Sequence, residues 1–307
     1  MQSTDVGFFQ EAEMKGNAKA WIEATRPRTL PVSVAGVLGG LACALTYGKF
    51  RLLPFLVCLV FALLAQIVSN FANEYYDYKS GIDSKGREGF RRGVTEGDIS
   101  PGAMKRATYA LLFVACAIGC TLVIWGGWWL VPVGLAIALF ALAYSAGPFP
   151  LSRIGLGDIA VVVFYGIVPV VFTCYVITGS FENIKMTLPM GFALGLLADN
   201  VLIVNNYRDV ETDRAAGKLT TAVIFGRRVI LGVYGLNFTF GLTVVAVFFL
   251  IYRPVYWIIA WGVIEVLYIM VMLRIRRARG AALNPLLKRT AQLMLLACVA
   301  MIVAAAV

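Results

Sequence analysis

LLPFLVCLVFALLAQIVSNFANEYYDYKSGID, residues 52–83, decides the fold. Its first 22 residues, 52–73, carry no charge, and about 20 such residues are enough for a helix to cross the hydrocarbon of a bilayer. The stretch then turns sharply polar, with Asn70, Asn73, Glu74, Asp77 and Asp83. The apolar part calls for lipid. The polar end calls for a reason to sit where the chain leaves it.

Runs of the same kind recur along the chain, at about 30–48, 52–74, 105–126, 128–146, 157–178, 187–208, 229–251, 254–275 and 287–307. Of the 307 residues, 60% are hydrophobic and only 14% charged, beyond what an ordinary water-soluble domain of this length carries. Backbone polar groups inside a membrane must be satisfied internally. These runs are long and continuous, unlike the short alternating strands of a barrel. The fold class expected is an all-α integral membrane protein, a bundle of nine transmembrane helices around a central cavity. A retained cytoplasmic tail, 1–29, is expected to precede one transmembrane domain, 30–307, because no basic-then-apolar leader opens the chain.

Nine spans divide the connections into two sets. One side holds only Lys49, Arg51, Lys185 and Arg253 of the 27 Lys and Arg. The rule that positive loops stay inside makes the crowded side cytoplasmic. The polar end of residues 52–83 is therefore expected to face the cytoplasm; the expected location is a bacterial cytoplasmic membrane. The net charge of +10 is then a topology signal and needs no nucleic-acid partner.

The chain has no histidine, which excludes histidine triads, histidine-ligated haem and HExxH zinc chemistry. Its six cysteines, at 43, 58, 116, 120, 174 and 298, all fall in apolar runs and read as small core residues. Chemistry must rest on carboxylates, amides, Lys, Arg, Tyr or a hard metal.

On a helix, Asn70, Asn73, Glu74 and Asp77 form one stripe, spaced i, i+3, i+4 and i+7. Four helices later, DNVLIVNNYRDVETDRAAGK (199–218) repeats the device, with Asn205 and Asp209 spaced like Asn73 and Asp77 and Asp213 one turn on. The two acidic patches fall at the long polar connections expected near 75–104 and 209–228, on the same side of the membrane. Oxygen donors without His or Cys suit Mg²⁺, which takes one or two carboxylates and completes its shell with water and phosphate oxygens. Lys79, Lys85, Arg87, Arg91, Arg92, Arg208, Arg214 and Lys218 stand around them as phosphate donors, or as topology charges. The combination implies a diphosphate head joined to a lipid tail, most simply an allylic polyprenyl diphosphate. Metal and cations would stabilise the leaving diphosphate. Tyr75, Tyr76, Tyr144, Tyr165 and Tyr207 are positioned either to shield the allylic cation or to form an interfacial aromatic belt.

Four blocks carry a family resemblance: RPRTLP (26–31), SNFANEYYDYKSGID (69–83), YSAGPFPLSRIGLGDI (144–159) and NNYRDVETDRAAGK (205–218). The chain resembles the UbiA superfamily of intramembrane prenyltransferases, and within it the branch that prenylates 1,4-dihydroxy-2-naphthoate. The six-residue step from Asp77 to Asp83 distinguishes this branch from the 4-hydroxybenzoate one. The resemblance implies transfer of a polyprenyl group from polyprenyl diphosphate to 1,4-dihydroxy-2-naphthoate, with decarboxylation, giving demethylmenaquinol in menaquinone biosynthesis. It also implies that Asn73, Asp77 and Asp83 form one Mg²⁺-diphosphate motif and Asp209 with Asp213 the other. Glu74 takes the place of an Asp and still offers a carboxylate to metal. The diphosphate would meet Lys79, Arg87, Arg91, Arg92, Arg208, Arg214 and Lys218. The acceptor would meet Arg26, Arg28, Tyr144, Arg153 and Asp158, although RPRTLP also reads as a membrane-entry signal.

Asp199 stands in an apolar stretch, and an acid there is a functional candidate. A protonated or amide-paired structural role is the competing reading, and Glu265 matches no motif. Another acceptor, 4-hydroxybenzoate or homogentisate, is the nearest alternative function. A secondary transporter is the alternative from a different class, since intramembrane acids also line ion paths.

Overall fold

A computed structural model describes residues 18–83, 85, 89–252 and 257–306, and among these the chain is helical, with no strand. A short helix, α1 (18–24), leads into α2 (Leu30–Leu45) and α3 (Leu52–Lys79). A single turn, α4 (Gly93–Glu96), lies in the connection to α5 (Pro101–Cys120) and α6 (Val123–Gly126). α7 (Leu130–Ala143) is followed by α8 (Gly157–Val161), which runs through a π-helical stretch, Val162–Ile167, into α9 (Val168–Thr178). The last four are α10 (Ile184–Ala215), α11 (Thr221–Tyr252), α12 (Trp257–Arg277) and α13 (Asn284–Ala306).

Each of the nine expected apolar runs is helical over most of its described residues. Seven are long and apolar enough to cross a membrane, counting α5 with α6 and α8 with α9 as single spans. The other two, α2 and α7, have 16 and 14 residues. The protein is thus a multi-pass helical bundle, with α10 its most enclosed span.

Two close approaches set the geometry of the site. Pro169 has no N–H to donate to the carbonyl of Tyr165, and the helix widens into its π-helical stretch just before it. A Cβ added to Gly36 of α2 would stand 2.6 Å from that carbonyl, so α2 approaches the break backbone to backbone. Gly166 in the same stretch meets α10, where an added Cβ would lie 2.3 Å from the carbonyl oxygen of Gly191. The small residues Gly191 and Gly195 therefore pack within this chain, and they draw the 157–167 segment onto α10 just before Asp199.

The acidic helices run further than the apolar pattern predicts. α3 continues to Lys79 and α10 to Ala215, so Asp77, Asp209 and Asp213 sit on helices and not in the long loops expected at 75–104 and 209–228. Both helices close in the same way. Gly81 and Gly217 adopt positive φ, 68° and 70°. The next residues, Ile82 and Lys218, donate their N–H groups to the carbonyls of Asp77 (3.1 Å) and Asp213 (2.9 Å). This is a Schellman closure, and it fixes the true register of the two motifs. Asp77 is the structural counterpart of Asp213, and Asn73 that of Asp209, one turn off the match that spacing alone suggests.

Part of the expected tail belongs to the folded body. Ala20 and Ala24 of α1 are buried against Phe71, Val94, Ile99 and Met104. Residues 1–17 lie outside the described part of the chain.

Candidate active site

Each acid that ends α3 or α10 is held by named cations. Asp77 is completely buried. Its Oδ1 accepts from Arg153 at 2.9 Å, and its Oδ2 accepts from Lys218 at 3.2 Å and from the Asn73 amide at 2.9 Å. Lys218 also lies 3.8 Å from Asp213. One ammonium thus joins the two motifs, because the closure of α10 places it one residue past Gly217.

Asn73 is the second hub. Its amide oxygen accepts from Arg26 and from Arg92 (3.0 Å), while its nitrogen donates to Asp77 and to Ser145 (3.0 Å). Arg26 is the only non-glycine residue among those described with positive φ, at 54°. Such backbone strain is tolerated where the surroundings over-determine it, and here the guanidinium is fixed on Asn73. Arg92 also reaches Asp83 at 3.4 Å.

Below these hubs opens a cavity of about 280 Å³. Arg26, Asn73, Arg92, Asp209, Asp213 and Lys218 line its polar end, and residues such as Val37, Leu130, Phe140 and Phe172 line the rest. Tyr144, Tyr165 and Asp158 also face it. The cavity therefore offers charge at one end and hydrocarbon at the other.

Several residues expected at the site point elsewhere. Glu74 is 1% exposed and its Oε1 accepts the N–H of Val94 at 3.0 Å, so it anchors the α4 turn and does not line the cavity. Glu74→Gln keeps an acceptor there and is expected to retain most activity. Glu74→Ala leaves the buried Val94 N–H unpaired, about 1–3 kcal/mol, and should speed proteolysis within 89–99. Equal loss of activity in the two variants would instead put Glu74 at the metal.

Arg153 is committed to Asp77, Ser80 and the Tyr76 carbonyl, which leaves it behind the cavity wall and away from an acceptor. Arg208 grips both oxygens of its neighbour Asp209 at 2.7 Å and also reaches Asn205 and Asn284. Arg28 is exposed and stacks over Phe90, 5.1 Å from the ring centre. Arg91 pairs with Asp98, Arg214 pairs with Glu211, and Lys79 is exposed. All three are peripheral charges, outside the cavity lining. Arg87 lies outside the described residues. Of the five tyrosines, Tyr75, Tyr76 and Tyr207 do not line the cavity; Tyr76 bonds Tyr109, and Tyr207 lies under Arg227 and Arg279.

Sequence reading missed Ser145, and it started the polar stripe one turn too late. Gln66 precedes Asn70 by four residues, lies on the same face of α3, and bonds Ser33 and the Thr29 carbonyl inside the cavity wall. The spacing was legible. The partners were not.

The donor set fits a hard divalent cation, being carboxylate and amide oxygens without thiol or imidazole. Among the described residues no three acidic side chains converge on one point. Asp209 and Asp213 line the cavity, within the one or two carboxylates that Mg²⁺ uses when phosphate oxygens supply the rest. Asp77 and Asp83 lie outside the lining, Asp77 with both oxygens taken by Arg153, Lys218 and Asn73 and Asp83 against Arg92, so the first motif presents Asn73 to the chamber.

Comparison with known proteins places this geometry. The chain is 39% identical over 216 residues to the 1,4-dihydroxy-2-naphthoate octaprenyltransferase of Escherichia coli (strain K12), covering 68% of this chain and 69% of that one. It is 29% identical over 231 residues to the protein of the same name in Bacillus subtilis (strain 168), covering 74% and 73%. In fold it is similar to a UbiA homolog from Archaeoglobus fulgidus bound to GPP and Mg²⁺, with a TM-score of 0.65 at 16% identity over 92% of this chain and 99% of that one. An apo UbiA homolog from Aeropyrum pernix K1 gives a TM-score of 0.69 at 13% identity over 89% and 97%. Residues 33–299, which hold α3, α10 and the cavity between them, match the model of the UbiA prenyltransferase family, and the chain belongs to that family.

Proposed function

We propose that this protein transfers a polyprenyl group from a polyprenyl diphosphate to 1,4-dihydroxy-2-naphthoate, with loss of carbon dioxide, to give demethylmenaquinol. The observation that carries the reading is the two-part cavity. Its polar end holds Lys218, Arg92 and Arg26 against a set of carboxylates, and an apolar chamber lies beneath. A lipid diphosphate has the same division. The acceptor is supported by the relatives in E. coli and B. subtilis, which are named for it.

In this reading Asn73, with Asp77 and Asp83 behind it, on one side and Asp209 and Asp213 on the other would hold Mg²⁺; the A. fulgidus homolog of similar fold is bound to that ion. Bound there, the ion would neutralise charge on the departing diphosphate. Lys218, Arg92 and Arg26 donate to diphosphate oxygens, which concentrates positive charge where negative charge develops. Tyr144 and Tyr165 line the cavity, where they would screen the allylic carbon from water. The polar mouth faces the cytoplasm of a bacterial cell, since nearly all Lys and Arg connections share its side.

The test uses membranes containing the protein, a polyprenyl diphosphate and one acceptor at a time. A prenylated product lacking the carboxyl group is expected with 1,4-dihydroxy-2-naphthoate and not with 4-hydroxybenzoate or homogentisate. A chelator should stop the reaction and added Mg²⁺ restore it. A prenylated product from another acceptor alone would overturn the assignment.

A further inference from the structure

Asp158 and Asp199 belong to neither acid motif, yet the structure joins them. The close contact of Gly166 with α10 brings the start of α8 against the middle of α10, and the Asp158 carboxyl lies within hydrogen-bonding reach of the Asp199 carboxyl. The outer partners are fixed. Thr221 donates to Asp158 Oδ1 at 3.0 Å, and Asn237 donates to Asp199 Oδ2 at 2.9 Å. Asp199 is 3% exposed, and its Oδ1 has no hydrogen-bond donor among the described residues. Two carboxyl groups in contact cannot both be ionised, so such a pair holds one proton between its members. That proton is the donor the buried Oδ1 otherwise lacks.

Asp158 lines the cavity together with the titratable and charged groups Tyr144, Tyr165 and Arg26. The pair is thus reached from the chamber where an acceptor ring would sit, apart from the Lys218 clamp.

We propose that Asp158 and Asp199 share one proton and act as the proton exchanger of the prenyl transfer, with Asp158 the catalytic residue and Asp199 its positioning partner. The inference rests on the acceptor reading above. The allylic carbon–oxygen bond breaks with its electron pair leaving on diphosphate, and the ring carbon bearing the carboxylate supplies the pair for the new carbon–carbon bond. The neighbouring hydroxyl becomes a carbonyl as its O–H pair moves into the C=O bond, and its proton passes to Asp158. The product of this step is a β-keto acid. When carbon dioxide leaves, the released pair rebuilds the aromatic ring, the carbonyl oxygen becomes an enolate, and the pair returns the proton. No external acid, base or oxidant is consumed.

Asp158→Asn and Asp199→Asn test the idea, since each keeps the side-chain shape and removes the shared proton. General-base losses are typically 10²–10⁴-fold. We expect prenylated product to fall at least about tenfold in each, with the KM for prenyl diphosphate unchanged. Diphosphate release should fall much less, because water captures the cation and prenyl alcohol accumulates. Product and diphosphate release falling in parallel would mean a structural role and overturn the proposal, as would two variants with unaltered product partition. Infrared spectroscopy of the resting protein supplies a readout independent of activity. A protonated-carboxyl band should be present in the unaltered protein and lost in both variants, and its persistence in both refutes the shared proton. If the unaltered protein makes no prenylated naphthol, the acceptor reading fails instead, while the infrared result still decides the pair.

Discussion

Asp77→Ala is expected to eliminate detectable prenyl transfer and to unfold at markedly lower temperature in detergent. The carboxylate is wholly buried, and it receives Arg153, Lys218 and the Asn73 amide. Its removal takes the carboxylate from two cations at once: Arg153 keeps only the neutral Ser80 hydroxyl and Tyr76 carbonyl, and Lys218 keeps Asp213 at 3.8 Å. Breaking a buried ion pair from one side costs about 3–5 kcal/mol, because the remaining charge keeps its desolvation penalty without its partner. Asp77→Asn separates the two effects. It keeps one acceptor oxygen and most of the packing, so much of the stability should return while the rate remains at least about 10²-fold down, as for loss of a transition-state charge contact. Normal diphosphate release by purified Asp77→Asn would remove Asp77 from the clamp.

Asp209→Ala should lose activity to a similar extent with a much smaller change in stability. Its partner Arg208 is equally buried, but that guanidinium also holds Asn205 and Asn284, each at 2.7 Å. Two acceptors survive the substitution. The expected cost is that of one cation's lost contact, about 1–3 kcal/mol, where Asp77 serves two cations. Measuring thermal unfolding and diphosphate release on both alanine variants would show whether the two motifs differ in this way. Equal destabilisation would mean that Arg208 depends on Asp209 alone.

The two motifs are therefore similar in sequence and unlike in support. Asp77 is held from across the bundle, by Arg153 from the connection after α7 and by Lys218 from beyond α10. Asp209 is held by its own neighbour. No spacing rule distinguishes these cases, because a cation four helices away and a cation next in sequence look alike in composition.

The sequence by itself determined the membrane fold, its helices and the donor types of the two acid patches. These follow from local quantities: run length sets a span, the 3.6-residue period sets a face, and the absence of histidine limits the donors. It also contained the glycines that end α3 and α10, although spacing alone aligned Asp77 with Asp209 and the helix closures align it with Asp213. Only the tertiary structure decided which charges meet. Arg153, Arg208 and Glu74 belong to the same motifs as the cavity residues, yet they turn to Asp77, to Asp209 and to the Val94 N–H. Asp158 and Asp199 are 41 positions apart in the chain, and they meet because glycines on two helices let the backbones touch. Which partner a buried charge takes depends on where distant segments cross, and in a bundle that crossing is set by small residues whose effect appears only when the helices are packed.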